Sequence, residues 1–290
     1  MKPLLGYFGH HKCASTWISS ILHSACHDLG LDVRTVYNAH EIDGDFDGLL
    51  RTEDPDLLIY SNAHYSHVET MDCRGVHVVR DPRDIVVSAY FSHRNSHATH
   101  AWPELVAYRE KLRAVSKDEG LFLEMDFRRD QFEEMMSWPD RSPEGILRLK
   151  TETLTQRPYE GFLQVFDFLG LADMEDFTAG RRSRFFFAKA AAAVQTRLGV
   201  RAIRPATRLP AERILGIVWE HSFDKLSGGR TKGEEDPNSH YRKGVAGDWV
   251  NHFNRDHLEY FAERYTDVLI KYGYEESANW VDRFAELVPH

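Results

Sequence analysis

The chain has 290 residues, 42% apolar, 28% charged and 12% aromatic, a composition that supports a large buried core and argues against extensive disorder. Its formal charge of −9 disfavours a dedicated nucleic-acid binder, and no apolar run approaches the roughly 20 residues needed to cross a bilayer. Cys13, Cys26 and Cys73 suit neither a disulfide framework nor a four-thiolate zinc site, and the first ten residues lack a long apolar stretch with a small-residue cleavage site, so a cytoplasmic protein is expected.

In chain order, Leu4-Leu5-Gly6-Tyr7-Phe8 is a short apolar run ending at Gly9 and reads as a first strand. Trp17, Ile18, Ile21, Leu22 and Ala25 recur at helical spacing, which predicts a helix over 16–29 with Gly30 as its stop. Strands are expected at 32–37, 57–60 and 76–79; the last two are compact apolar runs suited to buried parallel strands. A helix over 83–91 opens at Pro82. The polar, His- and Arg-rich segment 92–143 reads as a helical cap or insertion, with helices at 103–116 and 126–137. A strand at 146–150 and a helix at 158–169 follow; 173–209 is illegible, and helices at 211–220 and 256–271 close the chain. Strands alternating with helices predict an α/β fold: one domain over 1–290, a central parallel sheet with helices on both faces.

Two junctions carry anion-binding chemistry. Gly9-His10-His11-Lys12-Cys13-Ala14-Ser15-Thr16 lies between a strand and a helix, where backbone N–H groups and the helix dipole hold anions. Against the nucleotide-triphosphatase pattern it keeps Gly9 and Thr16, but Ser15 stands where that pattern needs lysine, and a lysine appears instead at Lys12. The second junction, Arg80-Asp81-Pro82-Arg83, ends a strand and opens a helix, with Ser88 two turns on; Arg80 and Ser88 can converge on one phosphate, or Arg80 can pair with Asp81 or Asp84. Further on, Tyr241-Arg242-Lys243-Gly244 places two cations before a glycine that lets backbone approach a ligand.

Together these segments resemble the PAPS-dependent sulfotransferases. His11-Lys12-Cys13-Ala14-Ser15-Thr16-Trp17 is similar to that family's 5′-phosphosulfate loop, Arg80 to Tyr90 to its 3′-phosphate strand-loop-helix, and Arg242 to Phe253 to its R-K-G-x-x-G-D-W segment. Ser222-Phe223-Asp224-Lys225-Leu226 is similar to a segment that packs on the adenine. The resemblance spans residues 4 to about 272 in the family's order. It implies a P-loop-like phosphosulfate loop, a helical cap over the acceptor site, a lid and 3′-phosphate clamp within 173–245, and the donor 3′-phosphoadenosine 5′-phosphosulfate (PAPS) with product PAP. By that resemblance Lys12 is catalytic and binds the phosphosulfate; Cys13, Ala14, Ser15, Thr16 and Trp17 complete the loop, with Trp17 near the adenine. Arg80, Ser88, Arg242, Lys243 and Gly244 hold the 3′-phosphate, and Phe223 contacts the nucleoside. Transfer is expected without a metal, to a hydroxyl or less readily an amine of a small-molecule or carrier-bound acceptor. A homodimer is allowed and a nucleic-acid partner is not expected.

An acceptor hydroxyl must lose a proton. His64 is the candidate base, since it follows the strand at 57–60 where the family places a catalytic histidine; His67 competes, as does a carboxylate from the cap. Three departures stand out. Ala14 replaces a loop glycine, which stiffens the loop unless that position has negative φ; Cys13 replaces serine; and Thr151 replaces a tyrosine that contacts adenine. A kinase-like phosphotransferase and a non-catalytic PAP-binding scaffold are the alternatives.

Two further clusters are on view. His93, His97 and His100 share one helical face, a spacing that can ligate zinc but reads better as a wet, polar wall of the acceptor pocket. Trp102, Tyr108, Phe122, Phe127 and Trp138 read as core. Residues 181–213 hold nine Arg or Lys against one acid, Glu212, and fit a lid over an anionic donor or a surface for an acidic partner.

Overall fold

Apolar strand segments pair into one sheet: β1 (Leu4–Phe8), β2 (Val33–Val36), β3 (Leu57–Tyr60), β4 (Cys73–Val79) and β5 (Ile146–Lys150), in the order β2-β3-β1-β4-β5. β1 runs parallel to both β3 and β4, and β2 runs parallel to β3. In this computed structural model the described residues are 3–42, 45–100, 102–175 and 208–284, with Phe187, Ala190, Val194 and Leu287. They fall into two compact units, one from Met1–His10, Ala14–Val78 and Ser142–Ser222, the other from His11–Cys13, Val79–Arg141 and Phe223–His290.

The first unit holds the sheet. Side chains alternate across a strand, and Leu5, Tyr7, Leu57, Ile59, Val76 and Val78 point to one face, where they pack with Ile18, Ile21, Leu22 and Ala25 of α1 (Ser15–Leu29), with Phe162, Val165 and Phe166 of α9, and with Ile214 and Ile217 of α10. Helix α9 spans Pro158–Phe168 and α10 spans Ala211–Glu220; between β5 and α9 lies the short α8, Thr151–Gln156. On the opposite face Tyr60 stacks on Phe46 of α2 (Phe46–Glu53) and on His67 of α3 (Tyr65–Val68), so helices cover both faces as expected. Phe8 lies flat over β1 and β4. A Cβ at Gly6 or at Gly75 would come within 2.5 Å of its ring, which is why glycine interrupts both strands. The connections leave β1 in opposite directions, toward β3 and β2 on one side and β4 on the other. This makes the carboxyl end of β1 the switch point where open α/β sheets bind ligands. A two-residue parallel pair, β6 (Ala172–Asp173) with β7 (Leu209–Pro210), lies beside α10.

The second unit is helical. It is built from α4 (Pro82–Phe91), a π-helical turn at Ser92–Ser96, α5 (Glu104–Ala114), α6 (Lys117–Phe127), α7 (Arg129–Ser137), the short α11 (Phe223–Leu226), a 3-10 turn at Asp248–Asn251, α12 (Arg255–Lys271) and α13 (Trp280–Phe284). Its core joins Ile85, Val86, Tyr90, Leu121, Met125, Phe132, Trp249, Phe253 and Phe261. Tyr108 and Phe122 pack against that core and Trp138 is fully buried, as their core reading expects. The helix expected over 126–137 is two helices broken at Arg128. Ser116 and Glu119 form a capping box that starts α6, and Gly120 follows because a Cβ there would meet the Tyr90 ring at 2.5 Å. Most of the basic cluster at 181–213, and with it the start of the expected lid, lies outside the described residues. Of its cations, Arg213 is a structural ion-pair partner, donating to Asp28 at 2.5 Å and Glu220 at 2.8 Å.

Candidate active site

In the first unit the loop after β1 is fixed by its strand neighbours. Gly9 N–H donates to the Tyr60 carbonyl and Gly9 O accepts from Ala63 N–H, both at 2.9 Å. A Cβ on Gly9 would sit 2.5 Å from the Tyr7 hydroxyl, so only glycine fits. Ala14 caps α1 with φ 61° and ψ 25°, a left-handed conformation. The substitution of Ala for the expected glycine therefore does cost conformational energy, about 1–2 kcal/mol for a left-handed L-residue. Ser15 Oγ donates to the His10 carbonyl at 3.3 Å, and Thr16 is exposed. Trp17 donates from Nε1 to the His221 carbonyl at 2.8 Å and stands edge-on to Phe162, so the fold itself holds its ring. Thr151 is buried as the first residue of α8.

The two candidate bases separate by their surroundings. His67 is stacked against Phe46 and Tyr60, and its Nδ1 shares a 3.0 Å hydrogen bond with the Tyr60 hydroxyl. His64 is half-buried at the start of α3, one residue beyond the Ala63–Gly9 hydrogen bond.

In the second unit the cations assemble. Lys12 has φ 64°, and its carbonyl accepts from Arg80 Nη1 at 3.0 Å. Burial pushes the Lys12 ammonium down to about 7; Arg80, Arg128 and Arg242 push the same way, and Glu124 opposes them. Such a concentration of positive charge favours an anion. Asp81 is taken by Arg83 at 2.7 Å, and Arg80 lies 3.8 Å from Asp84, so of its two expected acidic partners the structure brings Arg80 to Asp84. Ser88 is half-buried on α4. Asp84 turns instead to the R-K-G segment, accepting from Gly247 N–H at 2.7 Å and Trp249 N–H at 3.0 Å. Burial raises its carboxyl to about 6 against the pull of Arg80.

Arg242 and Lys243 both donate to Asp248, at 2.6 and 2.5 Å, and Asn251 and His252 complete the carboxylate's shell. These donors hold the Asp248 carboxyl far below the usual range even though burial opposes them. Arg242 also pairs with Glu235 at 2.6 Å and lies over the Phe91 ring. Gly244 has φ 70°, and a Cβ there would strike the Phe223 ring at 2.5 Å, so Phe223 and the glycine are packed face to face. Cys13 is fully buried in the unit's core, with its thiol 3.9 Å from the His11 carbonyl.

A sulfotransferase domain model matches residues 52–273. The chain belongs to the sulfotransferase family. The crystal structure of mouse sulfotransferase SULT7A1 complexed with PAP is similar over 98% of this chain and 90% of that one, at 16% identity and a TM-score of 0.57, a likeness of fold. Retinol dehydratase, solved with androsterone and inactive cofactor PAP, is similar over 93% of this chain and 81% of that one, at 14% identity and a TM-score of 0.45. No curated protein matches by sequence. The family match contains Arg80, Ser88, Phe223 and Arg242 to Gly244, whereas Gly9 to Trp17 lie before it.

Several residues that organise this sulfotransferase were not singled out from its sequence. Arg230 gathers the carbonyls of Glu234, Tyr241 and Arg242 at 3.0, 2.6 and 2.8 Å and so shapes the approach to the R-K-G turn. Asp248 anchors that turn from one end, and Asp84, read from the sequence only as a partner for Arg80, from the other. His93 corrects the reading of a wet wall: it is fully buried, and it meets His11 of the loop after β1 rather than His100, which is exposed.

Proposed function

We propose that this sulfotransferase moves the sulfuryl group of 3′-phosphoadenosine 5′-phosphosulfate to a hydroxyl, less readily an amine, of a small-molecule or carrier-bound acceptor. The observation that carries the reading is the linkage of the three cationic segments. Arg80 is hydrogen-bonded to the Lys12 carbonyl, and Asp84, four residues on in the first turn of α4, is hydrogen-bonded to the backbone that follows Arg242, Lys243 and Gly244.

In this reading Arg80, Ser88, Arg242, Lys243 and Gly244 hold the 3′-phosphate, with Asp248 fixing the two adjacent cations. Cys13, Ala14, Ser15 and Thr16 supply backbone and hydroxyl donors to the 5′-phosphate, and Trp17 and Phe223 border the nucleoside. The acceptor oxygen attacks sulfur in line as the bond from sulfur to the bridging phosphate oxygen breaks. Lys12 stabilises the negative charge growing on that oxygen, and His64 takes the acceptor proton. The cations supply the neutralising charge at the phosphates, so this step needs no metal there. Cap helices α5 to α7 supply the acceptor side.

Lys12→Ala is the test. Removing one preorganised donor from developing charge costs about 10²–10³-fold in turnover. PAP affinity, followed by calorimetry, is expected to fall far less, since the 3′-phosphate contacts remain. Turnover within tenfold of the parent chain overturns the assigned role.

A further inference from the structure

His11, His93 and His97 offer ring nitrogens that all lie within 4.8 Å of one another, in the second unit. His11 Nε2 and His93 Nε2 face each other at 3.0 Å. The other nitrogen of His93, Nδ1, is 3.0–3.1 Å from the buried Glu124 carboxylate, which can only accept, so the His93 proton sits on Nδ1 and the Nε2 lone pair points at His11. Among the described residues no protein hydrogen bond reaches the ring of His97, which is half-buried and open to water. Trp102 stands edge-on to all three rings.

From this juxtaposition we infer that His11, His93 and His97 form a binding site for one divalent transition ion of the zinc class, with a fourth position left open. Imidazole nitrogens suit zinc, and three protein nitrogens plus one exchangeable ligand is the composition of open zinc sites. The Glu124–His93 pair is the carboxylate–histidine arrangement that fixes the tautomer and orientation of metal-bound histidines. Glu124 is itself held by the Tyr108 hydroxyl at 3.2 Å and by Arg128 at 3.2 Å, which also balances its charge.

The backbone is braced at every ligand. Arg109 donates to the carbonyls of both His93 and His97, and Gln131 donates to the carbonyl of His11 at 2.9 Å. The π-helical turn closes with His97 N–H on the Ser92 carbonyl at 2.7 Å, carrying His97 past the regular helical position. Such turns recur at functional sites. Tetrahedral ligand nitrogens sit about 3.3 Å apart around an ion at 2.0–2.1 Å. The His11–His93 spacing is already close to that, and rotation of the unbonded His97 ring closes the third side.

The experiment uses the full chain stripped with EDTA and dialysed, titrated with zinc chloride alone by calorimetry and with cobalt chloride by visible absorption. One zinc per chain is expected at micromolar concentration, with the intense cobalt spectrum of a four-coordinate site. His97→Ala, which removes no protein hydrogen bond, is expected to weaken zinc at least 100-fold while circular dichroism stays unchanged; His100→Ala leaves binding as it was. Glu124→Gln is expected to weaken it by about 10–100-fold, the usual cost of losing such a partner. No zinc uptake by the parent chain, a weak six-coordinate cobalt spectrum, or equal affinity in His97→Ala overturns the site. The result is independent of the donor reading, because neither PAPS nor an acceptor is present.

Discussion

Arg83 carries the largest single stability expectation. Its side chain is 3% exposed and donates from Nε and Nη2 to the two oxygens of Asp81 at 3.0 and 2.7 Å, and from Nη1 to Glu275 at 2.6 Å. Its guanidinium also lies 4.0 Å from the Trp249 ring and 4.9 Å from that of Trp280. Arg83→Gln leaves Asp81 with the backbone N–H that caps α4, and leaves Glu275 with the more exposed Arg283. Breaking a buried pair by removing one partner costs about 3–5 kcal/mol, and a desolvated cation–π contact about 2 kcal/mol, partly the same energy. The expected loss is therefore roughly 4 kcal/mol, or about 8 °C in midpoint for a chain of this length. Urea unfolding followed by tryptophan fluorescence reads it, since Trp249 and Trp280 are neighbours. Arg83→Lys keeps the charge without the fork and is expected to lose about half as much. A cost below about 1 kcal/mol for Arg83→Gln refutes the reasoning, because it would mean the two carboxylates do not need the arginine.

Two further outcomes follow from local geometry. Ala14→Gly relieves a left-handed alanine and is expected to raise stability by about 0.5–1 kcal/mol after the extra entropy of the unfolded chain; a destabilised variant in the same urea series contradicts the strain. His77 is fully buried, shares a 2.9 Å hydrogen bond with His10, and accepts from Arg148 on Nδ1; burial, with His10 and Arg148 beside it, holds it well below its ordinary value. The unfolded chain binds that proton below about pH 6.5 and the folded chain does not, so stability falls as pH drops through that value. His77→Gln is expected to reduce the loss between pH 7.5 and 5.5 by about 1.4 kcal/mol, and an unchanged acid slope contradicts it.

The strands were legible where apolar residues dominate a short run: β1, β3 and β5 stand where the pattern put them, β5 despite Arg148 and Lys150. β4 starts earlier, at Cys73, because Gly75 is there to receive Phe8 and breaks the apolar run. The short α2 and α3 escaped notice, since their burial is set by two rings, Phe46 and His67, stacked near Tyr60. The cationic segments stood out in the sequence because Arg, Lys and Gly recur in them beside expected strand ends and turns. Their supports were not. Arg230, Asp84 and Asp248 act through backbone carbonyls, N–H groups and neighbouring cations that only the folded chain brings near. His11 stood in the segment compared with the phosphosulfate loop, but nothing linked it to His93, which is 82 residues away. The spacing of His93, His97 and His100 was noticed, but past the π-helical turn His100 is exposed, and the ring that meets His93 is His11 from the loop after β1.

The central claim is the donor, and thermal unfolding of the full chain with PAP, with ATP and magnesium, or with neither tests it most directly. A ligand present at about 100 times its dissociation constant adds roughly 2.7 kcal/mol, a shift of several degrees. The account predicts that PAP raises the midpoint to this extent whether or not magnesium is present, and that the shift is lost in Arg242→Ala. A midpoint that ignores PAP and rises only with ATP and magnesium would contradict it.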